Sequence, residues 1–172
     1  MAGGFACLAL LCPPAARGAG ATELSGDVLQ FALPAAALGL TAWYEDRTGA
    51  IEFAESAAAT LAVTYTLKYT VSERRPNGGA HSFPSGHTSI SFASAEFMRK
   101  RYGWEYGVPA YAAATWVAYS RVASRQHHTY DVVAGGAIGI LSSYLLTREY
   151  QGWHADADLG THYWGIQLSR AW

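Results

Sequence analysis

Five stretches of this chain carry apolar residues on a helical period, and polar residues gather between them. Val28 to Tyr44 is uncharged and apolar, and Ile51 to Val71 is rich in Ala, Thr and Tyr with Lys68 near its end. His87 to Tyr102 follows a Pro-Ser-Gly turn and closes on Arg99-Lys100-Arg101. Val108 to Val122 and Asp131 to Thr147 complete the set. Alternation with period two appears only around Tyr163 to Leu168. Connections are short, and no internal repeat interrupts them. The pattern predicts an all-α fold: an antiparallel bundle of about five core helices, followed by a short C-terminal strand or hairpin.

Length and composition narrow the picture. At 172 residues the chain is long enough for one domain with a buried core. Charged residues are 15% of it and the net charge is −1, with no basic tract and no aromatic-basic interleaving, which argues against a nucleic-acid partner. Residues 1–21 read as a signal peptide: Phe5 to Leu11 is apolar, Pro13-Pro14 follows, and Ala19-Gly20-Ala21 offers a cleavage site before Thr22. No Lys or Arg precedes Arg17, so an uncleaved first helix is the other reading. Both cysteines, Cys7 and Cys12, lie in this segment, and its removal would leave no thiol chemistry. The helical domain is then 22–150. Residues 151–172 form a tail in which Trp153, Tyr163, Trp164 and Trp172 suit either packing on the bundle or an interfacial anchor.

Two readings of the bundle's surroundings follow. Its uncharged runs span about 12 to 17 residues, below the roughly 20 of a spanning helix. Charge placement points the other way. If five helices alternate in direction, Lys68, Arg74, Arg75, His87, Arg121, Arg125 and His127 share one end, and Arg47, Arg99, Lys100, Arg101 and Arg148 share the other. Setting aside Lys68, Arg75 and Arg121, the asymmetry fits a membrane protein with its His-bearing end outward. A soluble bundle whose helix C-termini carry cations is the competing reading.

Three clusters carry the candidate chemistry. Lys68 and Arg75 are seven apart, two helical turns, and project from one face if the helix continues that far; Pro76 limits its run. Two such cations call for an anion between them or for solvation. Pro84-Ser85-Gly86-His87 reads as a turn opening a helix, with Ser85 as N-cap, Gly86 permitting close backbone approach and free amides for an anion. His87 in that first turn can give a proton to a leaving oxygen, although a plain capped helix start has the same look. His127 and Asp131 are at i and i+4, so on a helix the carboxylate accepts the imidazole Nδ1–H and leaves Nε2 free as a nucleophile. Arg121, six residues before His127, can clamp phosphate oxygens. Read alone, this cluster is also compatible with a surface His–Asp pair. His128 has Val132 at i+4 and reads as a neighbour of the nucleophile. With no H-E-x-x-H, no cysteine ligand and three cations beside the histidines, neither a metal nor another cofactor is expected.

Lys68, six residues, Arg75-Pro76; Pro84-Ser85-Gly86-His87; Ser120-Arg121, five residues, His127, three residues, Asp131: this order and spacing resembles the three-part signature of the type 2 phosphatidic acid phosphatase and vanadium haloperoxidase superfamily. The resemblance covers residues 68 to 131 and implies an all-helical phosphoric ester hydrolase. It implies that Lys68, Arg75 and Arg121 bind phosphate oxygens with help from Ser85 and the Gly86 amide. His127 attacks phosphorus, His87 protonates the leaving group and then activates water, and Asp131 orients His127. The implied substrate is a phosphorylated lipid or a small phosphate ester. The implied place is a bacterial cell envelope, either the inner membrane with the active end toward the periplasm or the soluble periplasm. Haloperoxidase chemistry and a non-catalytic lipid-binding role are the remaining readings.

Overall fold

The computed structural model describes the backbone of residues 14–150, 153–159 and 164–170, and the side chains of residues 20–150. Five α-helices make the antiparallel bundle that the apolar pattern predicts: α1 (Pro14–Trp43), α2 (Arg47–Thr70), α3 (Gly86–Tyr102), α4 (Trp104–Ala123) and α5 (Thr129–Leu146). Beyond α5 two segments, β1 (Trp153–Leu159) and β2 (Trp164–Arg170), pair antiparallel with Trp153 opposite Arg170. The apolar run Phe5 to Leu11, Cys7 and Cys12 lie outside the described residues, as do Tyr163 and Trp172. Helix α1 runs without a break through Ala21 and Thr22, where the sequence offers a cleavage site.

Helix boundaries depart from the sequence pattern in three places, each with a physical reason. Helix α1 extends N-terminal to Val28 and takes in Glu23 and Asp27, two polar residues that find partners across the bundle. Helix α4 starts at Trp104 rather than near Pro109, because Gly103 at φ 109° breaks the chain from α3 and the proline is carried inside the helix. Helix α2 stops at Thr70, where Val71 is extended. Arg75 therefore stands on a loop: the helix does not continue to it, so the condition for its sharing a helical face with Lys68 is not met.

Helix α3 is the spine, packed against the other four helices. Its buried face is built from small residues, including Ser89, Ala93, Ser94 and Ala95, so neighbouring helices approach closely. Across from it, α5 presents Gly135 and Gly139. A Cβ on Gly135 would stand 2.5 Å from the Ser85 carbonyl oxygen, and one on Gly139 would stand 2.1 Å from that of Ser89. Larger apolar residues fill the half of the bundle away from these contacts: Leu33, Phe53, Phe97, Met98 and Tyr102, with Phe53 and Phe97 at 4.9 Å between ring centroids.

That end is closed by a buried ion network. Arg101 donates through Nε and Nη2 to the two Asp46 carboxylate oxygens at 2.7 Å each, and through Nη1 to Glu52 at 3.2 Å. Tyr102 Oη adds 2.9 Å to Asp46, whose other oxygen caps α2 at the Gly49 amide. Arg101 is thus an interior residue. It drops out of the surface cations on which the charge asymmetry was counted, and Arg99 is paired with Glu96 at 2.6 Å.

The outside of the bundle is apolar. Leu24, Val28 and Phe31 on α1, and Val133, Leu141 and Leu145 on α5, are exposed. Gly20–Trp43 and Thr129–Leu146 are long and apolar enough to cross a bilayer. An exposed apolar surface of this kind marks a face that something other than water covers.

Candidate active site

At the end of the bundle opposite Arg101, the three sequence clusters converge. Lys68 in the last turn of α2, Arg75 on the following loop, Gly86 and His87 opening α3, and His127 ahead of α5 line one cavity of about 460 Å³. Its remaining wall comes mainly from Gln30, Phe31 and Pro34 of α1 with Leu61, Tyr65 and Ile90. A cluster of cations and imidazoles therefore opens directly onto an apolar cleft between α1 and α2.

Each polar group is positioned by local chain geometry. Ser85 is the N-cap of α3, its Oγ accepting from the Thr88 amide at 3.4 Å and the Thr88 hydroxyl at 3.0 Å. Its side chain is buried in that role, while Gly86 and His87 face the cavity. Lys68 Nζ crosses to the same turn and donates to the carbonyls of His81 and Pro84 at 3.0 and 2.8 Å. Arg75 donates from Nη1 to Gln126 at 3.0 Å, and its buried Nε has no hydrogen-bond partner among the described residues.

His127 and Asp131 do not sit on one helical face, as the i, i+4 spacing suggested. His128 is the N-cap of α5 and Asp131 is its third residue, so the carboxylate turns back to the cap. Asp131 Oδ2 accepts the His128 amide at 2.8 Å and the Ser82 hydroxyl at 2.5 Å. It lies 3.5 Å from His127 Nδ1, beyond a hydrogen bond. Both His127 Nδ1 and Asp131 Oδ1 are buried without partners. His128 also approaches Asp131 Oδ2, at 3.3 Å, so carboxylate proximity does not separate the two histidines. Their placement does: His127 is buried and lines the cavity, whereas His128 stacks on Tyr130 with centroids 5.0 Å apart.

Electrostatics set the state of His127. Burial, then the Arg75 and Lys68 cations, pull its pKa down to about 4, against the opposing pull of Asp131. The ring is a free base at neutral pH, with the lone pair a nucleophile needs. A backbone hydrogen bond from the Ser85 amide to the Asp131 carbonyl, 3.0 Å, joins the turn bearing His87 to the helix start behind His127.

Arg121, in the last turn of α4, is 3% exposed and held from α1: Nη1 donates to Asp27 Oδ1 at 2.7 Å and Nη2 to the Glu23 carbonyl at 2.6 Å. The same Asp27 oxygen lies 3.1 Å from His87 Nε2. Gly26 allows this seating, since a Cβ there would come within 1.9 Å of Ser120 Oγ. Gln126, which receives Arg75, donates in turn to Glu23 at 2.8 Å. Asp27, Glu23, Gln126 and Ser82 are thus site residues that sequence reasoning missed. A signal was present: Glu23 and Asp27 are the only charged residues between 20 and 43, one turn apart on an apolar helix, where ionisable groups mark function.

Glu73, His128 and Asp131 bring one potential ligand atom each within 4.8 Å of one another. These atoms are already engaged: Glu73 accepts from the Tyr130 hydroxyl, and Asp131 accepts from Ser82 and the His128 amide.

Residues 77–155 match the model of the PAP2 superfamily. A lipid A 1-phosphatase of Porphyromonas gingivalis is 40% identical over 79 residues, 43% of this chain and 18% of that protein. A Schizosaccharomyces pombe protein named Probable diacylglycerol pyrophosphate phosphatase 1 is 33% identical over 85 residues, 41% of this chain and 30% of that protein. The chain therefore spans less than a third of the length of either relative. Among solved structures, Aquifex aeolicus LpxE superposes with a TM-score of 0.63 at 18% identity, over 78% of this chain and 87% of that one. A transmembrane PAP2 type phosphatidylglycerolphosphate phosphatase of Bacillus subtilis superposes with a TM-score of 0.60 at 20% identity, over 80% and 77%. These two likenesses establish a shared fold.

Proposed function

We propose that the chain is a PAP2-superfamily phosphoric ester hydrolase acting on a lipid phosphate or diphosphate through a phosphohistidine, a reading supported by the match of residues 77–155 to that superfamily's model. One observation carries the reading: Lys68, Arg75, His87 and His127 face a single cavity whose other wall is mainly apolar, Phe31, Pro34, Leu61 and Ile90 beside Gln30 and Tyr65. The polar end suits a phosphate and the apolar wall suits an acyl or isoprenyl chain. The names of the two sequence relatives, a lipid A 1-phosphatase and a diacylglycerol pyrophosphate phosphatase, support the same substrate class.

In the proposed reaction Lys68 and Arg75 hold the nonbridging oxygens, with Arg121 and the Gly86 amide completing the cradle. His127 Nε2 attacks phosphorus in line. The N–P bond forms as the P–O bond to the lipid breaks, and His87 delivers its proton to the departing oxygen. The imidazole becomes cationic, and Asp131 stabilises it by accepting the Nδ1–H. Water, deprotonated by His87, then attacks the phosphohistidine, releasing inorganic phosphate and restoring neutral His127. Fixed cations offset the developing charge, the part that metal ions take in other phosphoryl-transfer sites.

The exposed apolar faces of α1 and α5 support placement in a membrane. With Arg101 buried and Arg99 paired, Arg47, Lys100 and Arg148 remain against Arg74 and Arg125, a small surplus that supports an active end turned toward the periplasm in a bacterial envelope. The test is hydrolysis by the full chain in detergent micelles, comparing long-chain phosphatidate and diacylglycerol pyrophosphate with a small aryl phosphate. Alkaline carbonate extraction of source membranes accompanies it. Preference for the lipid esters and retention in the carbonate pellet are expected. Absence of phosphate release, or equal release by His127→Ala, would overturn the proposal.

A further inference from the structure

We infer that Asp27 is an internal anion that occupies the phosphate site and sets how tightly phosphate is held. Its Oδ1 receives Arg121 Nη1 at 2.7 Å and lies 3.1 Å from His87 Nε2. An oxygen touching both a buried guanidinium and the acid imidazole stands where the ester's phosphate and leaving oxygens would meet those same two groups. The inference rests on the phosphatase reading for the roles of Arg121 and His87, and adds a residue outside the three-part signature.

The surrounding geometry says which part must move. The backbone of α1 is pinned here, by the Glu23 carbonyl on Arg121 Nη2 at 2.6 Å and by the close seating of Gly26 on Ser120. Arg121 is fixed from its other side by Ser120 Oγ on Nε at 3.1 Å. The Asp27 side chain, by contrast, is 41% exposed, so of these groups it is the one with open space beside it. A phosphate dianion arriving at Arg121 meets a like charge already on its donors. Binding therefore requires the carboxylate to swing away, and its return helps expel inorganic phosphate after hydrolysis. The free enzyme is divided between a clamped form and an open one, so its apparent affinity for phosphate is the intrinsic affinity reduced by the open fraction.

Removing the charge should remove that competition. Titration of inorganic phosphate into the detergent-solubilised full chain, followed by calorimetry, is expected to give a Kd about tenfold lower for Asp27→Asn than for the unmodified protein, corresponding to a clamped form favoured about ten to one. Asp27→Ala should shift in the same direction, whereas Asp27→Glu should keep weak binding. In turnover the gain falls on KM for the lipid ester and on the inhibition constant of phosphate. Helical circular dichroism of each variant establishes that it is folded, and the near-isosteric Asn variant keeps the test available if Ala unfolds. Unchanged or weaker phosphate binding by folded Asp27→Asn, in a protein whose unmodified form hydrolyses ester, overturns the inference alone. An unmodified protein that neither binds phosphate nor releases it overturns the phosphatase reading, and the inference with it.

Discussion

Asp131 reaches the backbone of His128 before it reaches the ring of His127: its Oδ2 is 2.8 Å from the His128 amide and 3.5 Å from His127 Nδ1. The Asp131 carboxylate is thus anchored by the helix it caps and by Ser82, independently of the His127 imidazole. Catalytic hydrogen bonds are often long in an empty site and close when charge develops. Here the charge would develop on His127 itself, as the phosphohistidine forms.

Replacing each adjacent histidine separates their roles. His127→Ala should reduce phosphate release on the order of 10⁴-fold or more and abolish the acid-labile phosphoenzyme, as expected when a covalent nucleophile is lost. His128→Ala should stay within about twofold, the range of a change worth about 0.5 kcal/mol, because the shorter of its two contacts with Asp131, 2.8 Å against 3.3 Å, is through the backbone amide and survives the substitution. Rapid-quench labelling with a radioactive lipid phosphate reads both. Loss of labelling in His128→Ala, with labelling retained in His127→Ala, would reverse the assignment.

The depressed pKa of His127 makes folding stability depend on pH. Its folded value, about 4, lies below an unfolded value of about 6.5, so between these limits the unfolded chain binds the extra proton. Stability contributed by the neutral ring is present above about pH 6.5 and is lost as pH falls toward 4, by up to about 3 kcal/mol. Thermal unfolding in micelles across this window should show a steeper acid loss for the unmodified protein than for His127→Gln. Parallel curves would exclude His127 as the titrating group.

Two glycines one turn apart on α5 should behave differently. Gly135→Ala and Gly139→Ala each force a methyl against an α3 carbonyl, at 2.5 and 2.1 Å, and should each cost about 1 to 3 kcal/mol by overpacking. Only Gly135 faces Ser85, so only its substitution should also displace the turn that carries His87, with a loss of up to about 10²-fold in turnover. Thermal melts paired with initial rates measure the two effects. Equal activity losses at both positions would show that the turn is not seated through Gly135.

At the opposite end, Arg101→Met should destabilise by about 3 to 5 kcal/mol, because it leaves Asp46 and Glu52 buried without their cation. Below its lowered melting temperature the variant should retain its catalytic rate, since the network lies at the far end from His127. A melting temperature within a degree of the unmodified protein would rule out the network as a structural clasp.

What was legible in the sequence follows from the range of the interactions involved. Helices α2 to α5 were visible because their apolar period is local, and Ser85 was visible as an N-cap because capping is settled within three residues. The start of α1 was hidden because Glu23 and Asp27 look like the end of an apolar run until Arg121, 94 residues beyond Asp27, is brought against them. Arg75 was misplaced for a related reason: spacing alone implied a helix that Val71 ends. The pairing of His127 with Asp131 was read from helical periodicity, yet a capping residue lay between them. A carboxylate at the third helical position serves the cap amide first.

The hydrogen bond from the Ser85 amide to the Asp131 carbonyl has a consequence for how such a site can diversify. It ties the turns that carry the two imidazoles together through main-chain atoms, which a side-chain exchange displaces only by pushing on the backbone, as a methyl at Gly135 would. Arg75 hangs on a loop and Asp27 on an outer helix, each joined to that frame through side chains alone. In the proposed reaction, alignment of the two imidazoles is set by the backbone, while the side chains that would grip a phosphate are exchangeable one residue at a time. On the proposed function, the same mechanical unit could be refitted to another ester without being rebuilt.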